Sequence, residues 1–293
     1  MRELRILKVV TTTLENAAAL DPVVDKVKGV VNAVVRPRAV RDVLHGVPVG
    51  HPVHPLVILV PAGAWLSAAV LDLLPGNARS ARTLVGVGVL GALPSVLSGY
   101  TDWSELHPQQ QRVGIVHSVA NVIATTLYSA SYLQRGRGKT GSGKALGYLG
   151  LTLISGAGYL GGHLSYRQAA GANHAEDVPH RFPQGWQTLA WLDELPDGEL
   201  TAREVAGLPL LALRRGDGVD VLSNTCSHLS GPLNEGELVG ADTDDPCVSC
   251  PWHASVFSLA TGEVVHGPAT SPQPKFETRV TNNLVEVNLP GAE

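Results

Sequence analysis

The sequence predicts a multidomain protein, with an N-terminal bundle of four transmembrane helices and a small C-terminal all-β domain built as an antiparallel β-sandwich. Charged residues make up only 16% of the 293 residues, against about 25% in soluble proteins, and the deficit is concentrated before residue 170. From about Trp186 the pattern changes to short strand-like runs separated by turn residues. We therefore expect an N-terminal segment at 1–50, a helical domain at 51–168, a linker at 169–185 and a β domain at 186–293.

The N-terminal segment contains a predicted amphipathic helix. Valines recur at helical spacing between Val23 and Val35, with Asp25 and Lys26 among them. Such a helix could lie on a membrane surface or pack on the next domain. Pro37 is expected to end it.

Four apolar segments follow, and each has roughly the 20 residues needed to cross a bilayer core. Glycine and other small residues are frequent in them, which lets membrane helices approach closely. A buried bundle in a soluble protein is the alternative, but the short charged loops favour a membrane. Short loops also predict an up-and-down arrangement. The predicted segments are 55–74, 83–100, 113–133 and 145–166.

Two short loops in the β domain carry the most informative motif. Cys226-Ser-His228 is followed after 21 residues by Cys250-Pro-Trp-His253. Two thiolates and two imidazoles can hold a [2Fe–2S] centre in which two His replace two Cys on one iron. A structural zinc site uses the same residue types, although its paired ligands are usually about two to four residues apart.

Both loops resemble those of Rieske ferredoxins and of the Rieske domains of ring-hydroxylating oxygenase systems, over about 186–288. The resemblance implies that the thiolates hold the inner iron and the imidazoles the outer iron of a [2Fe–2S] cluster. It places the second thiolate at Cys250, so that Cys247 falls on the preceding strand with its side chain in the core. The implied ligands are Cys226, His228, Cys250 and His253.

The resemblance also implies how the reduction potential is tuned. Cytochrome bc-type members carry a disulfide beside the cluster, and those positions are Gly231 and Trp252 here. Ser255 keeps a hydroxyl that high-potential members place near the cluster sulfurs, whereas Phe257 replaces their tyrosine. Fewer hydrogen bonds to sulfur stabilise the reduced cluster less, so we expect a potential below the high-potential class.

Several histidines fall at one end of the predicted bundle. In an up-and-down bundle, the starts of the first and third segments meet the ends of the second and fourth. Ionisable groups within a membrane indicate a functional site, and ligation of haem b, a quinone pocket or a metal site would each use His54, His117 and His163. His51 and His107 lie nearer water and are expected to bond to backbone ends or headgroups.

The helical region carries a second resemblance. Its HPVHP start at His51, the SGYTDW run and His117 are similar to an uncharacterised family of bacterial four-helix membrane domains over about 50–168. That similarity implies the membrane fold and assigns no chemistry. Asp72, near the far end of the first segment, is expected to be an interfacial cap, and His174 in the linker is expected to be solvated.

These features predict a membrane-bound electron-transfer component of an oxidoreductase that exchanges single electrons with donor and acceptor proteins. A quinol- or haem-linked reductase subunit and a redox sensor are the alternatives. An oxygenase would need a large domain with a second iron site, and only about 30 residues follow the second loop. The net charge of −4 does not indicate a nucleic-acid-binding protein, because such proteins carry a basic surface.

The expected location is the bacterial cell membrane, with several crossings. Basic residues flank the predicted segments almost equally on both sides and decide little about orientation. The sequence has three cysteines, of which two are implied ligands, and no secretory signal is visible at its start. We therefore expect the β domain to lie on the cytoplasmic side.

Overall fold

The structure is a computed structural model that describes residues 4–290. The chain divides into two compact units. The helical unit comprises the residues up to Arg36 together with Pro52–Ala170, and the β unit comprises Pro37–His51 together with the residues from Gly171 onward. The last part of the expected N-terminal segment, residues 37–50, and most of the expected linker, residues 171–185, therefore fold with the β unit.

The helices follow the predicted pattern, with short additional helices between the long ones. A π-helical turn at His163–Arg167 follows the last long helix. In chain order the helices are α1 (Arg5–Glu15), α2 (Asp21–Val34), α3 (Arg38–His45), α4 (His54–Val57), α5 (Leu59–Leu73), α6 (Ala78–Trp103), α7 (Pro108–Gly136), α8 (Thr140–Gly162) and α9 (Val178–Arg181).

The helical unit is built from two hairpins, α4–α6 and α7–α8, with α1 and α2 packed beside them. Its centre is aromatic: the rings of Trp65 and Tyr128 stack in parallel, with centroids 4.1 Å apart. The predicted amphipathic helix is α2, which buries Val24 and Val31. The valine spacing thus predicted the helix, although Val23, Val30 and Val34 of the same pattern are exposed.

Three helical stretches of the described chain are long and apolar enough to cross a membrane: His54–Leu73, Ala78–Trp103 and Pro108–Gly136. The fourth predicted crossing is not among them. Helix α8 has 23 residues, but glycine occupies many of its positions and contributes almost no hydropathy. Small residues of this kind allow close packing of membrane helices.

The β unit contains two antiparallel sheets, as the sequence predicts. The larger has the strand order β1-β10-β9-β4-β3-β2 and the smaller the order β5-β6-β7-β8. The strands are β1 (Gln187–Trp191), β2 (Leu200–Val205), β3 (Leu208–Arg215), β4 (Gly218–Ser223), β5 (Glu237–Val239), β6 (Cys247–Ser249), β7 (Val256–Ser258), β8 (Val264–His266), β9 (Lys275–Thr281) and β10 (Leu284–Asn288).

The larger sheet is covered on both faces because side chains alternate along β3. Leu210 points into one apolar cluster, and Leu211 points into another that includes Phe257 of the smaller sheet. The first cluster also contains Phe182, whose ring meets that of Phe276 at 4.9 Å. Part of the predicted linker is therefore core of the β unit.

Candidate functional site

The loop after β4 places the first cysteine and histidine. The N–H of Cys226 donates to the carbonyl of Gly231 over 2.9 Å, and the N–H of Ser230 donates back to the carbonyl of Cys226 over 2.9 Å. Ser230 has a φ of 64°, a left-handed conformation that is uncommon for residues other than glycine. These bonds close a tight loop with Cys226 at its base and His228 near its tip.

The loop between β6 and β7 has the same construction. The N–H of Cys250 donates to the carbonyl of Ser255 over 2.8 Å, and the N–H of Ala254 donates back to Cys250 over 3.0 Å. Ala254, like its counterpart in the first loop, is left-handed, with a φ of 56°. Two equivalent loops therefore present one cysteine and one histidine each.

The two thiols form the inner part of the site. Cys226 and Cys250 are 1% and 4% exposed, and they are hydrogen-bonded to each other. This shared proton lowers the pKa of Cys250 to about 7 and raises the pKa of Cys226, which burial raises further. Each sulfur also accepts backbone N–H groups from its own loop: His228 and Leu229 in the first, Trp252 and His253 in the second.

The imidazoles form the outer part of the site. His228 and His253 are half-buried, and their rings meet nearly at right angles with centroids 5.1 Å apart. Trp252 lies beside them and is 49% exposed. The sulfur donors therefore lie inside the domain, and the half-buried imidazole rings reach its surface.

This donor set fits a two-iron cluster. A zinc ion gathers its ligands around one point, whereas the four residues here form a sulfur pair and an imidazole pair, one for each iron. Within residues 4–290 no three His, Cys, Asp or Glu side chains converge on a single position. A Cβ at Gly231 would lie 2.9 Å from the sulfur of Cys250, so glycine keeps the space beside the thiols open.

Residues 185–277 match the family model described as the Rieske [2Fe-2S] domain. The anthranilate 1,2-dioxygenase ferredoxin subunit of Burkholderia cepacia is 32% identical over 104 residues, which are 36% of this chain and 92% of that protein. The chain belongs to the Rieske [2Fe–2S] family. The β unit is accordingly called the Rieske domain.

A second curated protein and one solved structure are also similar to this chain. The 3-phenylpropionate/cinnamic acid dioxygenase ferredoxin subunit of Shigella boydii serotype 4 (strain Sb227) is 33% identical over 101 residues, 34% of this chain and 90% of that protein. Among solved structures, the ferredoxin of carbazole 1,9a-dioxygenase from Nocardioides aromaticivorans IC177 is 29% identical, with a TM-score of 0.33, and the match covers 36% of this chain and 99% of that one.

Residues 50–174 match a second family, described as predicted membrane protein (DUF2231). Both resemblances read from the sequence are thus confirmed.

The residues expected to tune the cluster are both buried in the Rieske domain. The hydroxyl oxygen of Ser255 accepts the N–H of Ala269 over 3.0 Å, so its own proton is available to a group lying between the loops. Phe257 belongs to the apolar cluster that contains both thiols. Cys247 is half-buried on β6, and its thiol donates to the carbonyl of Asp245 over 3.5 Å. The expectation of a core side chain at Cys247 is therefore only partly met.

A segment that sequence reasoning did not connect with the site packs against its loops. We call residues 37–51 the N-terminal strap. The carboxylate of Asp42 contacts the ring Nδ1 of His266 at 2.8 Å and accepts the N–H of Gly267 over 3.0 Å. The guanidinium of Arg38 donates to the carbonyl of Ala254 over 3.0 Å. The strap thus touches the second cysteine loop and the loop that follows β8.

His174 supports the first cysteine loop from behind. Its N–H donates to the carbonyl of Ser227 over 2.9 Å, and its Nδ1 lies 3.2 Å from the hydroxyl of Ser230. The expectation of a solvated linker residue is wrong, because this stretch folds onto the Rieske domain. A second hydrogen bond fixes the first loop to the Rieske domain: the hydroxyl of Ser227 donates to the carbonyl of Ser271 over 2.7 Å.

The three histidines of the predicted membrane site separate into a pair and a single residue. His54 and His117 lie near enough to interact electrostatically. His163 is instead engaged by Glu15, with 2.7 Å between its Nε2 and a carboxylate oxygen. His107 was expected to bond to a backbone end, and it is the N-cap of α7. His51 is exposed in the strap.

Proposed function

We propose that this protein is a membrane-anchored electron-transfer protein whose Rieske domain passes single electrons between redox partners. The observation that carries the proposal is the pairing of two buried thiols with two imidazoles at the domain surface. The relatives named above are ferredoxin subunits of dioxygenases, which supports a carrier role. Catalysis would then belong to a partner protein.

In this proposal Cys226 and Cys250 hold the inner iron, and His228 and His253 hold the outer iron. The cluster supplies one reversible one-electron step when bound. The chain supplies the environment: loop N–H groups donate to both sulfurs, and the apolar cluster around the thiols excludes water. Both features bear on the potential, because hydrogen bonds to sulfur and burial tune it.

The exit for the electron is the edge of the two imidazoles. His228 and His253 are the ligand candidates that reach the surface, and the exposed Trp252 and Pro251 lie beside them. An exposed aromatic residue next to a redox edge suits a transient partner interface. Donor and acceptor proteins are therefore proposed to dock on this tip.

The helical unit is proposed to be a multi-pass anchor in a bacterial cell membrane. Three apolar helices and the match to a membrane-protein family support it, and we propose α8 as the fourth crossing. The free cysteines Cys226, Cys247 and Cys250 are compatible with a reducing compartment. We accordingly propose that the Rieske domain lies on the cytoplasmic side.

The electron is proposed to be exchanged with a haem b or a quinone in the helical unit, or with a separate membrane partner. This would make the protein a subunit of a quinol- or haem-linked oxidoreductase. A redox sensor is the remaining alternative. The imidazoles within the helical unit favour a second redox group over a sensor.

Metal analysis of the detergent-purified full chain tests the cluster. We expect two irons and two labile sulfides per chain and the visible absorption of a Rieske centre. Cys226→Ser and Cys250→Ser should lose the iron, whereas the matched control Cys247→Ser should keep it. Zinc in place of iron, or loss of iron in the control alone, would overturn the proposal.

A further inference from the structure

The two hairpins of the helical unit repeat the same side chains at the same spacing. In each, a histidine near the start of the first long segment is followed at an identical interval by an aromatic residue and then by a charged one. A repeat of this kind indicates a duplicated structural unit. The corresponding residues are His54 with His117, Trp65 with Tyr128, and Asp72 with Arg135.

The second helices of the hairpins repeat as well. The ring of His54 lies over Gly99 of α6, where a Cβ would come within 2.7 Å of its Cε1. The ring of His117 lies over Gly161 of α8, where a Cβ would come within 3.2 Å of the same atom. In the same way Trp65 packs on Gly88 and Tyr128 on Gly150, and each glycine pair has the same interval.

Contacts between equivalent residues locate a pseudo-twofold axis. Trp65 stacks on its counterpart Tyr128 with an interplanar angle of 4°. The guanidinium of Arg135 donates to both carboxylate oxygens of its counterpart Asp72, over 2.8 and 2.5 Å. A residue contacts its own symmetry mate only at a twofold axis. The axis therefore runs between the two hairpins along the bundle.

His54 and His117 are related by this axis and are oriented alike. The Nδ1 of His54 lies 2.9 Å from the carbonyl of Ser95, and the Nδ1 of His117 lies 2.7 Å from the carbonyl of Ala157. A carbonyl only accepts, so Nδ1 carries the proton and Nε2 carries the lone pair. A backbone carbonyl holding one ring nitrogen is the arrangement found behind metal-bound histidines.

Asn121 gives independent support for this tautomer. Its side-chain nitrogen lies 3.1 Å from Nε2 of His117 and 3.0 Å from the carbonyl of the same residue. An amide nitrogen only donates, so Nε2 of His117 is an acceptor. A quinone carbonyl would need a donor at that position. The imidazole pair is therefore arranged to bind an electrophile such as a metal centre.

We propose that His54 and His117 are the two axial ligands of one b-type haem on the pseudo-twofold axis. A bare cation commonly takes about four protein ligands, and among residues 4–290 no third His, Cys, Asp or Glu joins the pair. An iron porphyrin brings four in-plane nitrogens and needs one ligand on each face. Its two equivalent faces match two imidazoles related by a twofold axis in the plane of the ring. Asn121 keeps its bond to the His117 carbonyl when iron takes Nε2.

The haem site extends the proposed function. It rests on that function, because the Rieske cluster is the proposed source of the electron that the haem accepts. With both groups bound, the cluster would supply one electron that ferric haem would accept, so the cluster would be oxidised and the haem reduced, with no proton or bond transferred. Binding of haem to the imidazole pair does not depend on that step. The cluster and the haem can therefore be tested separately in one sample.

Haem titration of the detergent-purified full chain tests the proposal. We expect one haem per chain, with the low-spin spectrum of two nitrogen axial ligands. His54→Ala and His117→Ala should each lose that spectrum, whereas the control His163→Gln should keep it because His163 is bonded to Glu15. The Rieske electron paramagnetic resonance signal should persist in every variant, because the cluster lies in the other compact unit, and an unchanged thermal unfolding midpoint in detergent should show that the helical unit remains folded.

Ligand exchange distinguishes coordination from a structural role. His117→Met should give the spectrum of mixed nitrogen and sulfur ligation, a change that a mere packing residue would not produce. Failure of wild-type protein to bind haem stoichiometrically, or unchanged low-spin binding in both alanine variants, would overturn the haem site. An absent Rieske signal in wild-type protein would instead overturn the proposed function.

Discussion

Gly231 is the residue at which the space for the cluster is most constrained. A Cβ there would lie 2.9 Å from the sulfur of Cys250 and 3.2 Å from Trp252. Gly231→Ala should therefore lower the iron content per chain, measured by metal analysis and visible absorption. The control Gly218→Ala should keep full iron content, because the nearest atom to its added Cβ is at an ordinary 3.7 Å. Equal iron content in both variants would contradict this prediction, because it would show that the loop can move to accommodate the added Cβ and still hold the cluster.

Ser255 and Phe257 set the number of hydrogen bonds that the chain offers to the cluster. Ser255→Ala removes a hydroxyl whose proton is available, so the reduced form, which carries more negative charge, loses a donor. The midpoint potential of the cluster in Ser255→Ala should therefore fall, as measured by a redox titration that is followed by electron paramagnetic resonance. Phe257→Tyr, which adds a hydroxyl, should raise the potential. A shift of either variant in the opposite direction would contradict the predicted hydrogen bonding.

Asp72 and Arg135 show what residue-level reading missed. The sequence suggested an interfacial cap at Asp72, but its side chain is only 3% exposed and is paired with an equally buried Arg135. The partner is 63 positions away, and helical periodicity does not reveal which distant residue neutralises a charge. By contrast, the cluster motif could be recognised because iron restricts both residue type and local spacing.

The ion pair can be tested with a double-mutant cycle. Removing one member leaves a buried charge, so Asp72→Leu and Arg135→Leu should each destabilise the helical unit by about 3–5 kcal/mol. The double replacement should recover most of that loss, because no uncompensated charge remains. Thermal unfolding in detergent measures all three variants. Additive losses in the double variant would show that the pair is not coupled.

At the level of elements, the N-terminal strap is the feature that most changes the picture of the site. Its helix α3 was expected to belong to the polar N-terminal segment, yet Asp42 reaches His266 across 224 positions. Strands, turns and the α2 stripe follow from local pattern. A contact of this separation depends on the assembled fold, so periodicity alone could not predict it.

The strap should stabilise the loops that surround the cluster. Asp42→Ala removes two hydrogen bonds, which should cost about 1–2 kcal/mol and should expose the strap to trypsin at its arginines. Val43→Ala is the matched control, because Val43 is on the same helix and is 59% exposed. Limited proteolysis of the full chain, read by mass spectrometry, measures the effect. Identical cleavage of both variants would mean that the strap does not depend on Asp42.

At the scale of the whole molecule, the number of membrane crossings follows from where α8 ends. Three exposed positions can report on this: Gln109 in the first turn of α7, Lys139 directly before α8, and Glu176 after α8. In a Cys247→Ser background, Gln109→Cys and Glu176→Cys should be shielded from an impermeant thiol reagent in whole cells, and Lys139→Cys should be labelled. This pattern is expected if α8 crosses and the Rieske domain is cytoplasmic. Labelling of Glu176→Cys together with Lys139→Cys would mean that α8 does not cross.

The central claim is that two sulfurs inside the Rieske domain and one nitrogen from each of two half-buried imidazoles hold one two-iron cluster. Pulsed electron paramagnetic resonance of the reduced full chain, with histidine labelled by ¹⁵N, tests it most directly. We predict two histidine nitrogens coupled to the unpaired electron, with one lost in each of His228→Cys and His253→Cys. A cluster signal without histidine coupling, or purified protein that holds zinc and gives no signal, would contradict the account.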